Sequence, residues 1–197
     1  MRSMVPVVAP LSKNQIEIMA AAVLSEVQPE VLKGNCPVDV EFIYDVYIPE
    51  KLGIKTGYTD LTEIGSNVLG YTDASIKESY VDKSLYESGK QSEIRRCRSA
   101  IAHEAFHCME HVPVLNYFRS ISRNGDDVLY RVARNEIPAY LDPEWQSWMY
   151  AGALLMPAVS VKRYWEKGAG VKRLAEIFDV NPAFARVRLS KLGLKTD

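Results

Sequence analysis

The sequence lacks the features that would place the protein in a membrane or an oxidising compartment. Its three cysteines, Cys36, Cys97 and Cys108, form no C-x-x-C pair, and an odd count predicts reduced thiols rather than a disulfide framework. No apolar run approaches the about 20 residues that a membrane-spanning helix needs. Residues 1–11 hold two prolines and no apolar segment adequate for a secretory signal. We therefore expect a cytoplasmic protein with no membrane partner.

Neither sign of charge dominates the composition. The 197 residues are 47% hydrophobic, which is typical of one globular domain, alone or with a small appendage. Residues 1–156 carry 15 basic and 21 acidic side chains, a net charge of −6, whereas residues 157–197 carry 9 and 4, a net charge of +5. The basic C-terminal part predicts either a surface for nucleic acid or an acidic partner, or a solvated helix face, and the second interpretation is the simpler.

One short motif carries most of the chemical information. Residues 103–107 read His-Glu-Ala-Phe-His, an H-E-x-x-H pentapeptide, within a stretch from 92 to 111 that has no glycine or proline. On a helix, residues four apart lie on one face about 6 Å apart along the axis, so His103 and His107 can bind a single Zn²⁺ ion. Glu104 lies at the edge of that face, close to the metal but not bound to it. This is the position of a general base for a metal-activated water.

The residues around the motif are compatible with a helix that docks on a core. At about 100° per residue, His103 and His107 project opposite to an apolar stripe. The stripe consists of Ile94, Cys97, Ile101, Ala105 and Cys108. Two alternatives remain: the histidines are solvated or satisfied within a core, or Cys108 is a thiol beside the metal. The spacing favours metal-binding histidines and core-filling cysteines.

Two helices are predicted before the motif. Residues 12–33 carry apolar side chains at helical spacing, with Ser12 as the N-cap and a glycine at 34 as the stop. A shorter helical pattern opens at residues 37–39 and ends near Pro49 or Gly53. Both are expected to pack on the core.

A small sheet is predicted between these helices and the motif. Strand patterns occupy residues 53–58, 67–71 and 76–81, and residues 72–75 form the turn of a hairpin whose first strand is interrupted by Gly70. We therefore expect about three strands before the metal-binding helix. The edge of such a sheet beside a metal can hold an extended substrate chain by strand addition.

The segment after the motif is less regular. Val112-Pro113 is predicted to end the motif helix, because proline lacks an amide hydrogen and clashes with the preceding turn. A short helix is predicted over residues 115–121. Residues 122–127 form a polar turn that is a candidate lip of the cleft. Residues 128–140 are compatible with either a helix or a lid.

The next helix has a clear beginning. Asp142 is a good N-cap and Pro143 suits the first helical position, so a helix is predicted from there to Pro157. Residues 159–165 and 171–192 show the patterns of further helices.

A catalytic zinc usually takes three protein ligands and leaves one position for water. His111 repeats the spacing of the motif, but it lies about 12 Å along the axis from His103 and cannot reach the same ion. A metzincin-type third histidine is also absent, because the chain has only three histidines. A carboxylate from a second helix is therefore required. The downstream candidates are Glu136, Asp142 and Glu144, and Glu110 and the upstream acids are less well placed.

Two motifs together resemble a known family. Residues 103–107 are followed by Glu144 and, at 151–157, by Ala-Gly-Ala-Leu-Leu-Met-Pro. This combination resembles the ImmA/IrrE family of zinc metallopeptidases, whose second motif is a glutamate on a helix ending in Leu-Leu-Met-Pro. Residues 37–43 and 174–193 are similar to that family's N-terminal helix and its trailing helix-turn-helix-like segment.

The resemblance covers about residues 37–193 and implies a fold. The expected class is α+β, with a mainly helical, zincin-like domain of the gluzincin type over residues 1–157 and a packing helix at 12–33. A helical, helix-turn-helix-like segment over residues 158–197 would pack on the same core. Trp148 stands where many family members carry a small polar residue.

The resemblance also implies an activity. His103, His107 and Glu144 would bind one Zn²⁺ ion, with Glu104 as the catalytic base. The protein would be a zinc-dependent endopeptidase that cuts a specific protein, typically a DNA-binding transcriptional repressor of the helix-turn-helix type, as a switch in stress response or mobile-element induction.

A different class of function is also compatible with the sequence. A non-catalytic regulator would bind a repressor or DNA through the metal-site cleft or the basic C-terminal helices, although plain packing helices are the simpler interpretation of residues 158–197. The group that would stabilise the oxyanion is left open. The candidates are Tyr140, His111, Arg131 and Arg134.

Overall fold

The structure is a computed structural model that describes six stretches of the chain, residues 4–6, 8–34, 36–65, 67–121, 131–133 and 137–194. Helices make up most of the described residues, together with a three-stranded sheet and a two-stranded ribbon. The predicted α+β class is confirmed. Among the described residues, no helix combines the length and the apolar character that a membrane crossing needs.

The N-terminal helix is shorter than predicted. Strand β1 (Met4–Pro6) leads to helix α1 (Lys13–Val27), which begins in a capping box between Ser12 and Gln15. The α-helix then stops and a 3₁₀ turn, Pro29–Lys33, follows. The prediction of one helix over residues 12–33 was therefore wrong at its end, because a proline at 29 has no amide hydrogen to continue the α-helical ladder.

The next helical stretch runs from 40 to 52. It consists of α2 (Val40–Phe42), a π-helical turn (Ile43–Tyr47) and α3 (Ile48–Leu52). Gly53 ends it with a left-handed φ of 62°, which glycine adopts without steric cost. Of the two predicted ends, Gly53 is thus the correct one.

The three-stranded sheet precedes the motif helix, as predicted. Strands β2 (Lys55–Thr59), β3 (Gly70–Asp73) and β4 (Glu78–Asp82) lie in the order β2-β4-β3. Strand β4 is parallel to β2 and antiparallel to β3, so β3 is an edge strand. The predicted hairpin is shifted: the turn lies at residues 74–77, because Asp73 accepts hydrogen bonds from the amide and hydroxyl of Ser75 and begins the turn there.

The motif helix crosses the proline that was predicted to end it. After α4 (Lys83–Glu87), helix α5 (Gln91–Phe106) passes into a π-helical turn (His107–His111) and directly into α6 (Val112–Ile121). The prediction of an end at Val112-Pro113 was wrong. The π turn changes which amides bond to which carbonyl groups just before Pro113. The proline ring thereby avoids the carbonyl group that it would meet in a regular α-helix. The same arrangement precedes Pro49.

The C-terminal half is helical. Strand β5 (Arg131–Ala133) pairs with β1, and a 3₁₀ turn (Ala139–Leu141) leads to α7 (Pro143–Leu155). As predicted, Asp142 caps α7 by accepting a hydrogen bond from the Glu144 amide at 3.0 Å. The remaining helices are α8 (Ala158–Glu166), α9 (Val171–Ile177) and α10 (Pro182–Lys191).

The core is built around α5, which packs on α7 and on strands β3 and β4 of the sheet, while α1 packs on α7. Four of the five predicted stripe residues are buried, and Ile94 is half-buried. Apolar side chains of the C-terminal helices, among them Leu174 and Leu189, belong to the same core. The buried Arg188 of α10 pairs with Glu17 of α1 and donates to the carbonyl of Met156.

Candidate metal centre

Two packed helices bring the three predicted ligands together. His103 lies in α5, His107 begins the π turn, and Glu144 is in the first turn of α7. The Nε2 atoms of the two histidines are 3.1 Å apart. Each lies 3.3 Å from a carboxylate oxygen of Glu144. The three side chains therefore offer two nitrogens and one carboxylate to a common point.

The spacing of these donors fits one metal ion. Bonds of about 2.0–2.1 Å in a tetrahedral site would separate neighbouring donor atoms by about 3.4 Å. The two histidine nitrogens are 3.1 Å apart, and each lies 3.3 Å from a different oxygen of Glu144. The cluster is partly to fully buried. His103, His107 and Glu144 can thus hold a metal ion.

The electrostatics of the cluster favour a cation. Burial raises the pKa of Glu144, but hydrogen bonds from His103 and His107 outweigh it and hold the pKa well below its ordinary value. Burial lowers the pKa of His107, but the Glu144 hydrogen bond and the nearby Glu104 carboxylate raise it, and the net shift is upward. Two carboxylates beside buried imidazoles thus favour positive charge at this point, which either protons or a metal ion supplies.

Glu104 is buried and held by strand β3. Thr72 donates a 2.6 Å hydrogen bond to its Oε2 atom. The Thr72 hydroxyl also lies 2.8 Å from that of Ser79, to which Tyr44 donates at 2.8 Å. A Cβ atom added at Gly70 would lie only 2.5 Å from the Glu104 side chain. The edge strand therefore both orients Glu104 and leaves it room.

Sequence reasoning missed the role of this strand. Thr72 was predicted as part of a turn, and nothing in its local pattern pointed to Glu104. Gly70 did carry a signal, because a glycine inside a strand pattern often marks a close approach by another group.

His111 lies behind the cluster rather than in it. Its Nδ1 atom is 2.8 Å from Nδ1 of His107, and its Nε2 atom is 3.0 Å from Oε1 of Gln146. Burial and the nearby His107 lower the pKa of His111 to about 3. His111 is therefore not a third ligand, as its distance along the helix had predicted, and it contacts the ligand His107 directly.

The other acidic candidates either lie away from the cluster or fall outside the described residues. Asp142 caps α7, and Glu110 is half-buried, with burial raising its pKa. Neither belongs to the described cluster. Glu136 and Arg134 lie outside the described residues, as does the predicted lip at 122–127.

Arg131 and Tyr140 were candidates to stabilise the oxyanion, and Cys108 was either a core-filling residue or a thiol beside the metal. Of Arg131 only the backbone, in β5, is described. Tyr140 is half exposed in the 3₁₀ turn before α7. Cys108 is fully buried, and burial raises its pKa to about 12, which fits a core-filling thiol.

Two cavities extend along β3 from the cluster. One, of about 420 Å³, runs from Asn67 to Thr72 and includes Glu104 and the three ligands. The other, of about 330 Å³, runs from Tyr71 to Ser75 and includes His107. The two cavities share Tyr71, Thr72 and His107 and so adjoin as a cleft along the edge strand beside the candidate metal ligands.

Trp148 forms one wall of this cleft. Its ring lies 4.4 Å from the ring of His103, centroid to centroid. Trp148 also lines a mainly apolar cavity of about 1000 Å³, to which residues of α5, α7 and α10 contribute.

A comparison of the chain with protein-family models, with curated proteins and with solved structures found no match. The chemistry of this site is therefore inferred from its own residues.

Proposed function

We propose that the protein is a zinc-dependent endopeptidase that hydrolyses a specific protein substrate. One observation carries the proposal: one donor atom each from His103, His107 and Glu144 lie within 4.8 Å of one another, and the buried carboxylate of Glu104 lines the same cavity. The domain would be zincin-like, of the gluzincin type.

The donor set supports zinc as the metal. Two imidazoles and one carboxylate with an open position are a common set for catalytic zinc. The same set occurs in iron(II) oxygenases, but a glutamate directly after the first histidine of a helical H-E-x-x-H pair is the arrangement of a hydrolytic zinc site. Metal analysis of the protein purified without chelators tests this choice, and we expect one zinc per chain.

The chain's own residues supply the remaining chemistry. When bound, zinc would polarise the attacking water and the scissile carbonyl group. Glu104 would accept a proton from that water and deliver it to the leaving amine. Thr72 holds one carboxylate oxygen of Glu104 and so limits the positions from which it can act.

The cleft supports cleavage within a chain rather than at its end. Strand β3 is an edge strand, and an extended peptide could pair with it by strand addition. Adjoining cavities run along β3 beside the candidate metal ligands. A substrate chain could therefore continue in both directions past the scissile bond.

The resemblance to the ImmA/IrrE family supports a narrower substrate. A DNA-binding transcriptional repressor would be cut as a regulatory switch in stress response or mobile-element induction, in the cytoplasm. Repressors encoded by neighbouring genes are the first candidates to test.

The decisive experiment compares the protein with its Glu104→Gln variant. Each is loaded with zinc, incubated with the candidate repressor and examined by mass spectrometry for fragments. We expect fragments from the wild type and a loss of about 10²–10⁴-fold in rate for the variant, which is the usual contribution of a general base. Zinc content should be equal in both. Equal cleavage by both proteins would contradict the proposed role of Glu104.

A non-catalytic regulator is the alternative, motivated by the excess of basic residues after 156. One of these basic residues does not contribute to an exposed basic surface, because Arg188 is buried and pairs with Glu17. Retention on a DNA duplex that weakens steeply with salt would support the alternative. So would a biological switch that survives the Glu104→Gln change.

A further inference from the structure

Gln146 occupies a fully buried position on α7, close to Glu144 in the chain. Its side-chain nitrogen lies 2.9 Å from the carbonyl oxygen of Ala9 and 2.8 Å from that of Tyr140. Carbonyl oxygens only accept hydrogen bonds, so the NH₂ group of Gln146 must face them. A flipped amide would set its own oxygen against two others. The orientation of the Gln146 amide is thereby fixed.

The fixed amide determines the tautomer of His111. Oε1 of Gln146 lies 3.0 Å from Nε2 of His111, and an amide oxygen can only accept. Nε2 of His111 therefore carries a hydrogen. A neutral imidazole has one such hydrogen, so Nδ1 of the same ring is an acceptor.

The tautomer of His111 in turn determines that of His107. The two Nδ1 atoms are 2.8 Å apart, which requires one donor and one acceptor. Because Nδ1 of His111 accepts, Nδ1 of His107 must donate. The hydrogen of a neutral His107 thus lies on Nδ1, and its Nε2 lone pair points towards His103 and Glu144.

We infer that Gln146 and His111 are positioning residues that hold the proton of His107 on Nδ1 and so keep Nε2 available to the metal. The chain of hydrogen bonds ends on backbone carbonyls, so it contains no group that can reverse its direction. Helix α7 supplies both Glu144 and Gln146, and it therefore sets the third ligand and the orientation of the second together. The inference rests on the metal centre of the proposed function but not on peptide hydrolysis.

The support is specific to one histidine. Among the residues that the structure describes, none accepts or donates a hydrogen bond at Nδ1 of His103. Breaking this series of hydrogen bonds should therefore lower the metal affinity through its effect on His107. Partners of a metal-binding histidine typically change metal affinity by about 10–100-fold when they are removed.

Three variants separate this role from a merely structural one. Gln146→Met removes both the acceptor for His111 and the two donations to backbone carbonyls. Gln146→Glu keeps an oxygen that accepts from His111, and its second oxygen, which faces the same two carbonyls, must carry a proton and so donates to one of them. Ser147→Ala is the matched control, because the neighbouring buried hydroxyl bonds only the carbonyl of Pro143 in the described structure.

The affinity of each protein for Zn²⁺ is measured by competition with a chromophoric chelator. We expect a loss of about 10–100-fold for Gln146→Met, with Gln146→Glu and Ser147→Ala remaining near the wild type. Equal losses for Met and Glu at position 146 would assign a structural role to Gln146 and overturn the inference. An unchanged affinity for Gln146→Met would also overturn it.

Nitrogen-15 NMR of the wild-type histidine side chains gives an independent test that needs no change at Gln146. The chain has three histidines, so the ring signals can be assigned by single substitutions. At neutral pH we expect the ring hydrogen of His111 to lie on its Nε2 atom, both before and after zinc is added. In the zinc-bound protein we expect the ring hydrogen of His107 to lie on its Nδ1 atom. A hydrogen on Nδ1 of His111 would overturn the inference. A wild type that binds no zinc would instead contradict the metal centre itself.

Discussion

The close approach of Glu104 to strand β3 predicts a strong coupling between Gly70 and Glu104. A Cβ atom at position 70 would lie 2.5 Å from Cγ and Oε1 of Glu104 and 2.7 Å from its Cδ. All three distances are far shorter than a normal contact between such atoms, about 3.5 Å. Either the strand or the Glu104 side chain must therefore move in the variant Gly70→Ala.

The cost can be estimated from what the two groups lose. Overpacking of a buried site typically destabilises a protein by about 1–3 kcal/mol. Replacing glycine by alanine where the backbone permits it stabilises by about 0.4–1 kcal/mol, because the unfolded chain loses freedom. Gly70 lies in a strand and not at a positive φ. We therefore expect Gly70→Ala to lower the free energy of unfolding by about 1–2 kcal/mol.

The same change should be harmless when the Glu104 side chain is absent. A Glu104→Ala background removes the three atoms nearest the added methyl group, so Gly70→Ala should be neutral or stabilising by up to about 1 kcal/mol there. The coupling free energy between the two positions should then be about 1–3 kcal/mol. Urea unfolding of the four metal-free proteins, followed by circular dichroism, measures it.

Gly57 is the matched control. It is also a strand glycine, but a Cβ there would lie 3.5 Å from the ring of Tyr80, an ordinary contact. Gly57→Ala should be neutral or slightly stabilising in both backgrounds. If Gly70→Ala destabilised the Glu104→Ala background as much as the wild type, Glu104 would not be the source of the strain and the proposed fit of β3 against it would be refuted.

Three further changes test the site and its scaffold. Glu144→Ala should weaken zinc binding by more than 100-fold in a chelator competition, on the order of the loss of a whole metal ligand, and an unchanged affinity would exclude Glu144 as a ligand. Thr72→Val should reduce the rate of cleavage, because the hydrogen bond to Glu104 is lost, whereas Thr72→Ser should retain it; similar rates for both would leave Thr72 with no part in orienting Glu104. Arg188→Met should lower the free energy of unfolding by about 1–3 kcal/mol, since it leaves the half-buried Glu17 unpaired, whereas Arg173→Met, in an exposed pair, should change it by less than about 1 kcal/mol; equal effects in urea unfolding would contradict this difference.

Short-range patterns predicted the parts of the structure whose causes lie within a few residues. The capping box at Ser12 and the start of α7 at Asp142 follow from side chains that bond to amides two or three positions away. The spacing of His103 and His107 follows from helix geometry alone. These features do not depend on what the helices later contact.

The prediction that Pro113 ends the motif helix was wrong. Proline does end the α-helical ladder after α1, but the helix that carries the motif continues past Pro113. Both Pro49 and Pro113 follow a π-helical turn. The neighbouring buried residues, such as Ile48 and Val112, pack in the core and favour a continued helix over a break. Tertiary packing thus overrides a local rule.

By itself, the sequence determined that the imidazoles of His103 and His107 share one helical face with the Glu104 carboxylate at its edge, because covalent geometry and backbone hydrogen bonds set distances along a helix. The residues alone left Glu136, Asp142 and Glu144 open as the third ligand, and the family resemblance favoured Glu144. Only the tertiary structure brings Glu144 to 3.3 Å from each histidine and sets Thr72 and Gln146 around the motif. Such distances between separate elements depend on how α5 packs against α7 and β3, and that packing is the joint result of many side chains far apart in the chain.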